Sequence, residues 1–394
     1  MEILENAKKI KEYIVAARRA IHEHPELGYQ EVNTSKYVAK CLQEIGVPYK
    51  SGFAKTGIVA EITKGSGSTI LVRADMDALP IQEDTGLSFH SRIPGVMHAC
   101  GHDTHTAMLL GAVKLLKDTH FNGTFRFLFQ PAEEGNYDDP DGFSGAQRMI
   151  VEGVLDNVDA AIGLHQIPTM DTGTIAITRG SVLAAADFFE IAISGKSAHA
   201  GVSPEKGIDA IVIAAELIQS LQTIISRQVS PKDTAVLSVG MIEGGSAPNI
   251  VAEKVYLKGT IRALQEETRQ KIIESMQLRC NAFAKMYGTS IDLKFYYSVP
   301  VTVNDLSVCD IVSQSASMIF GEENVLSDVS IMGGEDFAYI AQKVPSCFAL
   351  LGTKVDSGEA YPLHSSKMIV NENALPFGSA YLAQATLDLL RKYG

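Results

Sequence analysis

A chain of 394 residues is too long for one ordinary hydrophobic core, so two domains are expected. Its 46% hydrophobic and 20% charged residues fit a globular protein and exclude a disordered one. A formal charge of −12 without any basic tract argues against nucleic acid and anionic membrane as partners.

Apolar positions at Ile10, Ile14, Ala17 and Ile21 repeat at helical spacing and predict one helix over 5–22, ended by Pro25. The charged, amphipathic start lacks an apolar signal region, and no uninterrupted apolar run reaches ~18 residues. A cytoplasmic protein with no membrane span is expected. A second helix is predicted over 33–45, closed by Gly46, followed by strands at 57–62 and 69–74. The second strand leads into Asp75-Met-Asp77. Met108, Leu109, Ala112, Leu115 and Leu116 predict a buried helix from 103 to 118, with His98, Cys100 and His102 on the loop before it. The run 124–129 reads as a buried strand delivering Pro131-Ala-Glu-Glu134, and 160–164 as a short strand ending at His165. Candidate ligands thus collect at strand ends, where open α/β sheets place their active sites.

The texture changes near residue 180. Strands at 186–195, 234–243 and 254–263, with helices at 207–228 and 265–287, read as a two-helix, four-strand set inserted into the first domain. After Ser290-Ile-Asp-Leu-Lys-Phe the helix–strand alternation resumes, through Phe348-Ala-Leu-Leu to a C-terminal helix from 374. The expectation is an α/β fold. Residues 1–180 and 295–394 form a catalytic, metal-binding domain with a mixed sheet flanked by helices, and 181–294 form a smaller inserted α+β domain.

The cysteines Cys41, Cys100, Cys280, Cys309 and Cys347 are scattered and odd in number, which argues against a disulfide framework. Cys100 stands apart, in the run His98-Ala-Cys-Gly-His-Asp103. With Glu133-Glu134, Gly-Leu-His165 and Tyr-Pro-Leu-His364 it supplies thiolate, imidazole and carboxylate donors for two divalent metals, with one carboxylate to spare as a proton acceptor. Each part has a plainer reading. Cys-x-His pairs are often incidental, Glu-Glu is common on surfaces, and Cys100, His102, Glu134 and His165 could form a structural zinc site. Such sites use tight Cys-rich clusters, whereas these donors are dispersed. Asp75 and Asp77 are either solvated strand-end residues or orienting partners of a ligand histidine. His105, one turn into its helix, reads as an interior hydrogen-bonded histidine.

The motifs Arg73-Ala-Asp-Met-Asp-Ala-Leu-Pro80, Gly95-Val-Met-His-Ala-Cys-Gly-His-Asp-Thr-His105, Gln130-Pro-Ala-Glu-Glu134, Gly333-Gly-Glu-Asp-Phe337 and His364-Ser-Ser-Lys367 stand in one order along almost the full chain. The sequence resembles the binuclear amidohydrolases that cleave N-acyl amino acids, among them aminoacylases, hippurate hydrolases, auxin-conjugate hydrolases, N-acetyldiaminopimelate deacetylases and some carboxypeptidases. The resemblance implies two divalent ions (zinc, manganese, cobalt or nickel) bridged by Cys100, with His102, Glu134, His165 and His364 completing the ligands. It implies Glu133 as general base and Asp77 as the partner behind a ligand. It also makes the inserted domain a lid that mediates dimerisation. From Gly195-Lys-Ser-Ala-His-Ala-Gly201, His199 would help polarise the scissile carbonyl, and Asn249, Arg262 and Glu335 would meet the substrate. A guanidinium grips a carboxylate with two hydrogen bonds, although Arg262 reads equally as a surface arginine.

The implied substrate is an N-acyl-L-amino acid or a short peptide, and the implied assembly a homodimer or larger homo-oligomer. A carboxypeptidase or dipeptidase on the same site is the alternative, and a non-catalytic metal- or ligand-binding protein a further one. Two departures from the family pattern stand out. An acidic loop, 135–144, follows the glutamate pair, as either a solvated excursion or a wall that disfavours acidic substrates. Met368 replaces a common aromatic and is expected to be a packing change.

Overall fold

The computed structural model describes residues 2–135, 139–356 and 358–394. In chain order they form α1 (Glu2–Lys9), α2 (Lys11–His22), α3 (Val32–Ile45), β1 (Tyr49–Phe53), β2 (Gly57–Lys64), β3 (Thr69–Asp75), α4 (His102–Leu116), β4 (Gly123–Gln130), α5 (Gly145–Val151), β5 (Ala160–Asp171), β6 (Ile175–Ala176) and β7 (Gly180–Leu183). Then come β8 (Ala185–Ser194), α6 (Ala210–Arg227), β9 (Ala235–Gly244), β10 (Lys254–Ala263), α7 (Glu266–Tyr287) and β11 (Ile291–Val299). The chain ends with β12 (Thr302–Asn304), α8 (Leu306–Phe320), β13 (Val325–Leu326), α9 (Phe337–Ala341), β14 (Ser346–Lys354) and α10 (Leu375–Tyr393).

Two compact units result. The first holds residues 2–182, Val303–Val329 and Asp336–Gly394; the second holds Leu183–Thr302 and Ser330–Glu335. The first is built on an eight-stranded sheet in the order β1-β2-β4-β3-β5-β14-β6-β13. Its centre, β4-β3-β5-β14, is parallel, and β1 and β2 add an antiparallel edge. Parallel strands are covered on both faces and read as continuous apolar runs. Six of the seven β3 residues are buried, as are the last four of β4. Over the sheet lies α4, with Met108, Leu109, Leu110, Ala112, Val113 and Leu116 all fully buried. The connection from β3 goes to β4 on one side, and β5 continues the sheet on the other. The opening at the carboxyl ends of β3 and β5 is therefore a switch point, where such sheets bind ligands.

The second unit is an antiparallel sheet, β11-β8-β10-β9. Burial alternates along β8, as expected for a sheet with one covered face. Phe189, Ile191, Ile193, Leu257 and Ile261 meet Ile213, Leu217 and Leu221 of α6 and Ile272 and Met276 of α7 in one core. Among the described residues α6 alone has the length and apolar content of a membrane span. Its apolar stripe belongs to this core.

Several sequence boundaries move. The predicted helix 5–22 is two helices, broken at Ile10, whose φ of −100° and ψ of 15° leave the helical region while the apolar period runs on through it. The expected return to the first domain at 295 shifts to Val303, because β11 pairs with β8 and completes the second unit's sheet. His102 is the first residue of α4 rather than part of the preceding loop. His165 lies inside β5, not at its end: β3 pairs with β5 only as far as Gly163, but β14 keeps it extended to Asp171. Met368 is buried with Met97, Ala99 and Val370, packing beneath the 97–101 loop.

Candidate metal centre

The loop after β3 turns into α4 through Gly101, which has φ +88°. A side chain there would also drive into Gln166, whose amide nitrogen lies 2.4 Å from the position of a Cβ. Only glycine fits, and the turn places Cys100 and His102 on either side of it.

His102 is fully buried. Its Nδ1 donates to Asp77 Oδ1 at 3.0 Å, which sets the orientation of the ring and turns Nε2 toward the centre. That atom has no hydrogen-bond partner among the described residues. It faces Asp75 Oδ2 and Glu133 Oε2, both at 3.8 Å, and Glu134 Oε1 at 3.9 Å. His165 is fixed in the same sense. Its Nδ1 donates to the Gln166 carbonyl at 2.6 Å, and Nε2 lies 3.3 Å from Cys100 Sγ. From the loop before α10, His364 adopts φ +64°, its N–H donates to Ala99 O, and its Nε2 lies 3.3 Å from Glu134 Oε1.

Cys100 consequently belongs to two donor sets: Cys100, His102 and His165, and Cys100, Glu134 and His364. Within each, ligand atoms lie within 4.8 Å of one another. Burial, with Glu134 and Glu133 close by, pushes the Cys100 thiol well above its ordinary pKa. Burial also opposes charge on His102, but Asp75 and Asp77 outweigh it and raise its pKa to about 10. Three carboxylates gathered within 4 Å of one buried ring nitrogen favour a cation there. The orphaned Nε2 and the mixed S, N and O donors fit a divalent metal.

The pair Glu133-Glu134 is delivered by a turn after β4. Glu134 N donates to Asp77 Oδ2 at 3.0 Å, so Asp77 holds both a histidine donor and the backbone of a carboxylate donor. Asp336 N donates to Glu133 Oε1 at 3.4 Å. Beneath lies a buried network that the sequence did not reveal. Arg73 bonds Asp75 at 2.6 Å, Gln130 at 2.9 Å and Asp336 at 2.8 Å. Asp75 Oδ1 accepts from His105 Nδ1 at 2.6 Å, and His105 Nε2 accepts from Gln166 N. His105 is thus the interior hydrogen-bonded residue its position suggested. His98 is buried with neither ring nitrogen partnered among the described residues, and burial pushes it down to about 4, so it is neutral.

Residues 136–138 of the acidic loop lie outside the described residues. The rest is anchored, not loose. Arg148 of α5 grips Asp139 through two bonds, at 2.6 and 2.8 Å, and reaches Asp141.

The remaining expected residues lie in the second unit. His199 is exposed, and its Nδ1 accepts from Gly201 N at 3.2 Å. Its segment bridges to that of Asn249, Ala200 N donating to Asn249 O at 3.0 Å. Arg262, on β10, is half-buried with its guanidinium 5.5 Å from the Phe188 ring, and it forms no ion pair among the described residues. Glu335 is buried, its carbonyl accepting from Thr302 Oγ1.

A family model described as Peptidase family M20/M25/M40 matches residues 71–388. Thermostable carboxypeptidase 1 of Saccharolobus solfataricus is 40% identical over 399 residues, covering 98% of each chain. The N-acetyl-L-cysteine deacetylase of Bacillus subtilis is 37% identical, over 98% of this chain and 90% of that one. Among solved structures, the Bacillus subtilis YXEP protein, described as a dinuclear metal binding peptidase, matches with a TM-score of 0.82 at 34% identity, over 98% of this chain and 99% of that one. Motifs, fold and donor geometry agree with these matches: the chain belongs to peptidase family M20/M25/M40.

Proposed function

We propose that the protein, as a metal-dependent hydrolase of amide bonds, releases an L-amino acid from N-acyl-L-amino acids. The observation that carries this reading is Cys100 shared between two donor sets, with Glu133 beside them. Cys100, His102, Glu134, His165 and His364 would hold two divalent ions of the zinc, manganese, cobalt or nickel type. Once bound, the ions would acidify a water and polarise the scissile carbonyl.

Glu133 then takes the proton of the attacking water and passes it to the leaving nitrogen. Asp77 holds His102 and the Glu134 backbone in place for this. From the second unit, His199 supports the carbonyl oxygen, while Asn249, Arg262 and Glu335 receive the amino-acid end. The half-buried Arg262 guanidinium suits the substrate carboxylate. The second unit serves as a lid, and an exposed edge strand β9, with Met241 and Ile242 about 60% exposed, supports association into a homodimer or larger homo-oligomer.

A carboxypeptidase is the second reading, favoured by the 40% identical thermostable carboxypeptidase. Amino-acid release from N-acetyl, N-benzoyl and dipeptide substrates, on protein stripped of and then resupplied with metal, separates the two. Metal-dependent release from the acylated amino acids supports the proposal, and release from peptides alone replaces it with the second reading. Glu133→Gln should keep its metal and lose about 10²–10⁴-fold in kcat. A variant turning over at the wild-type rate removes Glu133 from its role.

A further inference from the structure

The connection between α2 and α3 supplies a group the mechanism has not used. Glu31 is fully buried and stands at the N-cap position of α3. An acidic side chain there ordinarily accepts from the first N–H groups of its own helix. The Glu31 side chain makes no such bond. Glu26 makes it instead, Oε2 accepting from Asn33 N at 2.8 Å and Thr34 N at 2.9 Å. The Glu31 carboxyl is thereby turned inward. There Oε2 accepts from Thr56 Oγ1 at 2.6 Å and Oε1 from Ala132 N at 2.9 Å.

Ala132 immediately precedes Glu133 and has φ +51°, a region disfavoured for any residue with a Cβ. Three bonds fix the turn around it. Glu31 takes the Ala132 N–H, Gly145 N donates to Ala132 O at 3.0 Å, and Asp77 takes the Glu134 N–H. Without the first, the Ala132 carbonyl and the Glu134 N–H stay anchored but the Ala132 N–H is released, so its strained φ can relax and swing the Glu133 side chain.

We infer that Glu31 is a positioning residue, which through the Ala132 N–H holds the 131–134 turn in the conformation that aims Glu133 at the attacking water. The inference rests on Glu133 being the proton acceptor. Burial and the charge of Asp77 push Glu31 up to about 8, and a glutamine in its place keeps an acceptor oxygen for the Ala132 N–H.

The test is steady-state kinetics of Glu31→Gln, Glu31→Ala and Thr56→Val, alone and in the Glu133→Gln background. Metal content and hydrogen exchange at the Ala132 amide accompany it. Glu31→Ala should lower kcat by ~10²-fold, the scale of a misaimed group, with KM and metal stoichiometry unchanged and faster exchange at Ala132. Glu31→Gln should recover most of that loss. In the Glu133→Gln background Glu31→Ala should cost nothing further, because the two act as a unit.

Wild-type kcat in Glu31→Ala overturns the inference, and so does an additive loss in the double variant. Should Glu31→Ala fail to fold, Thr56→Val decides. A smaller kcat loss with faster Ala132 exchange supports the inference, and wild-type values of both overturn it. The two readings fail separately: an active Glu133→Gln sinks the base assignment, whereas an inactive Glu133→Gln beside a fully active Glu31→Ala sinks the positioning role alone.

Discussion

At the scale of single residues, the candidate centre is organised by carboxyl groups outside the proposed ligand set. Asp77 shows this most directly, with one oxygen on His102 Nδ1 and the other on Glu134 N. Removing it frees the His102 ring to rotate and unpins a second donor. Asp77→Ala should therefore weaken metal binding by about 10–100-fold, the usual effect of losing a group that orients a ligand. Competition against a chromophoric chelator measures this, and an unchanged affinity would leave Asp77 a bystander. The candidate donors that the fold brings together were legible in the sequence because each sits in a short, chemically odd string. Their supports were not. Arg73 meets Asp336 across 263 positions, and Glu31 meets Ala132 across 101. Nothing local distinguishes these side chains from solvated ones, and only the folded sheet brings them together.

At the scale of elements, α4 and its entry turn matter most. Gly101→Ala would combine a left-handed backbone with a clash against Gln166. It should destabilise the protein by roughly 2–4 kcal/mol, the sum of a backbone penalty and local overpacking. Denaturant midpoints of the two proteins check this, and a neutral substitution would mean the turn rearranges freely. The packing of α2 on α4 adds a pH dependence. Arg18 Nε and His22 Nδ1, both on α2, donate to Asp103 of α4 at 3.0 and 2.9 Å. Burial opposes charge on His22, but Asp103 and Glu83 outweigh it and raise its pKa above the ordinary value. A raised folded pKa gives stability that is complete below about 6.5, the unfolded value, and fades as pH climbs through the folded one. The melting temperature of wild type should thus exceed that of His22→Asn most at pH 6 and least at high pH. A constant difference would show that His22 does not titrate there.

Element boundaries were harder to read than element types. The apolar period of 10, 14, 17 and 21 is real, yet it cannot report the break at Ile10, where both helices keep their apolar stripes in register with the core. Likewise the length of β5 is decided by β14, a partner nearly two hundred residues downstream, and not by its own composition.

At the scale of the whole molecule, every proposed ligand of the metal centre belongs to the first unit: Cys100, His102, Glu134, His165 and His364. The second unit has its own sheet and its own core. The sequence showed this division as a change of texture near 180, but placed the return too early because β11 reads locally like any strand of the first unit. The division has a thermodynamic consequence. A metal that binds only folded protein stabilises whatever unit carries its ligands, by about 2.7 kcal/mol at a hundred times its dissociation constant. Chelation should lower the unfolding transition of the first unit by on the order of 5–10 °C, given its size. It should also speed amide exchange in α4 and β5 while leaving α6 and α7 unchanged. Calorimetry paired with segment-resolved hydrogen exchange reads both effects. If α6 and α7 lose protection in step with α4, the two units unfold as one cooperative body, and the metal stabilises the second core as much as the first.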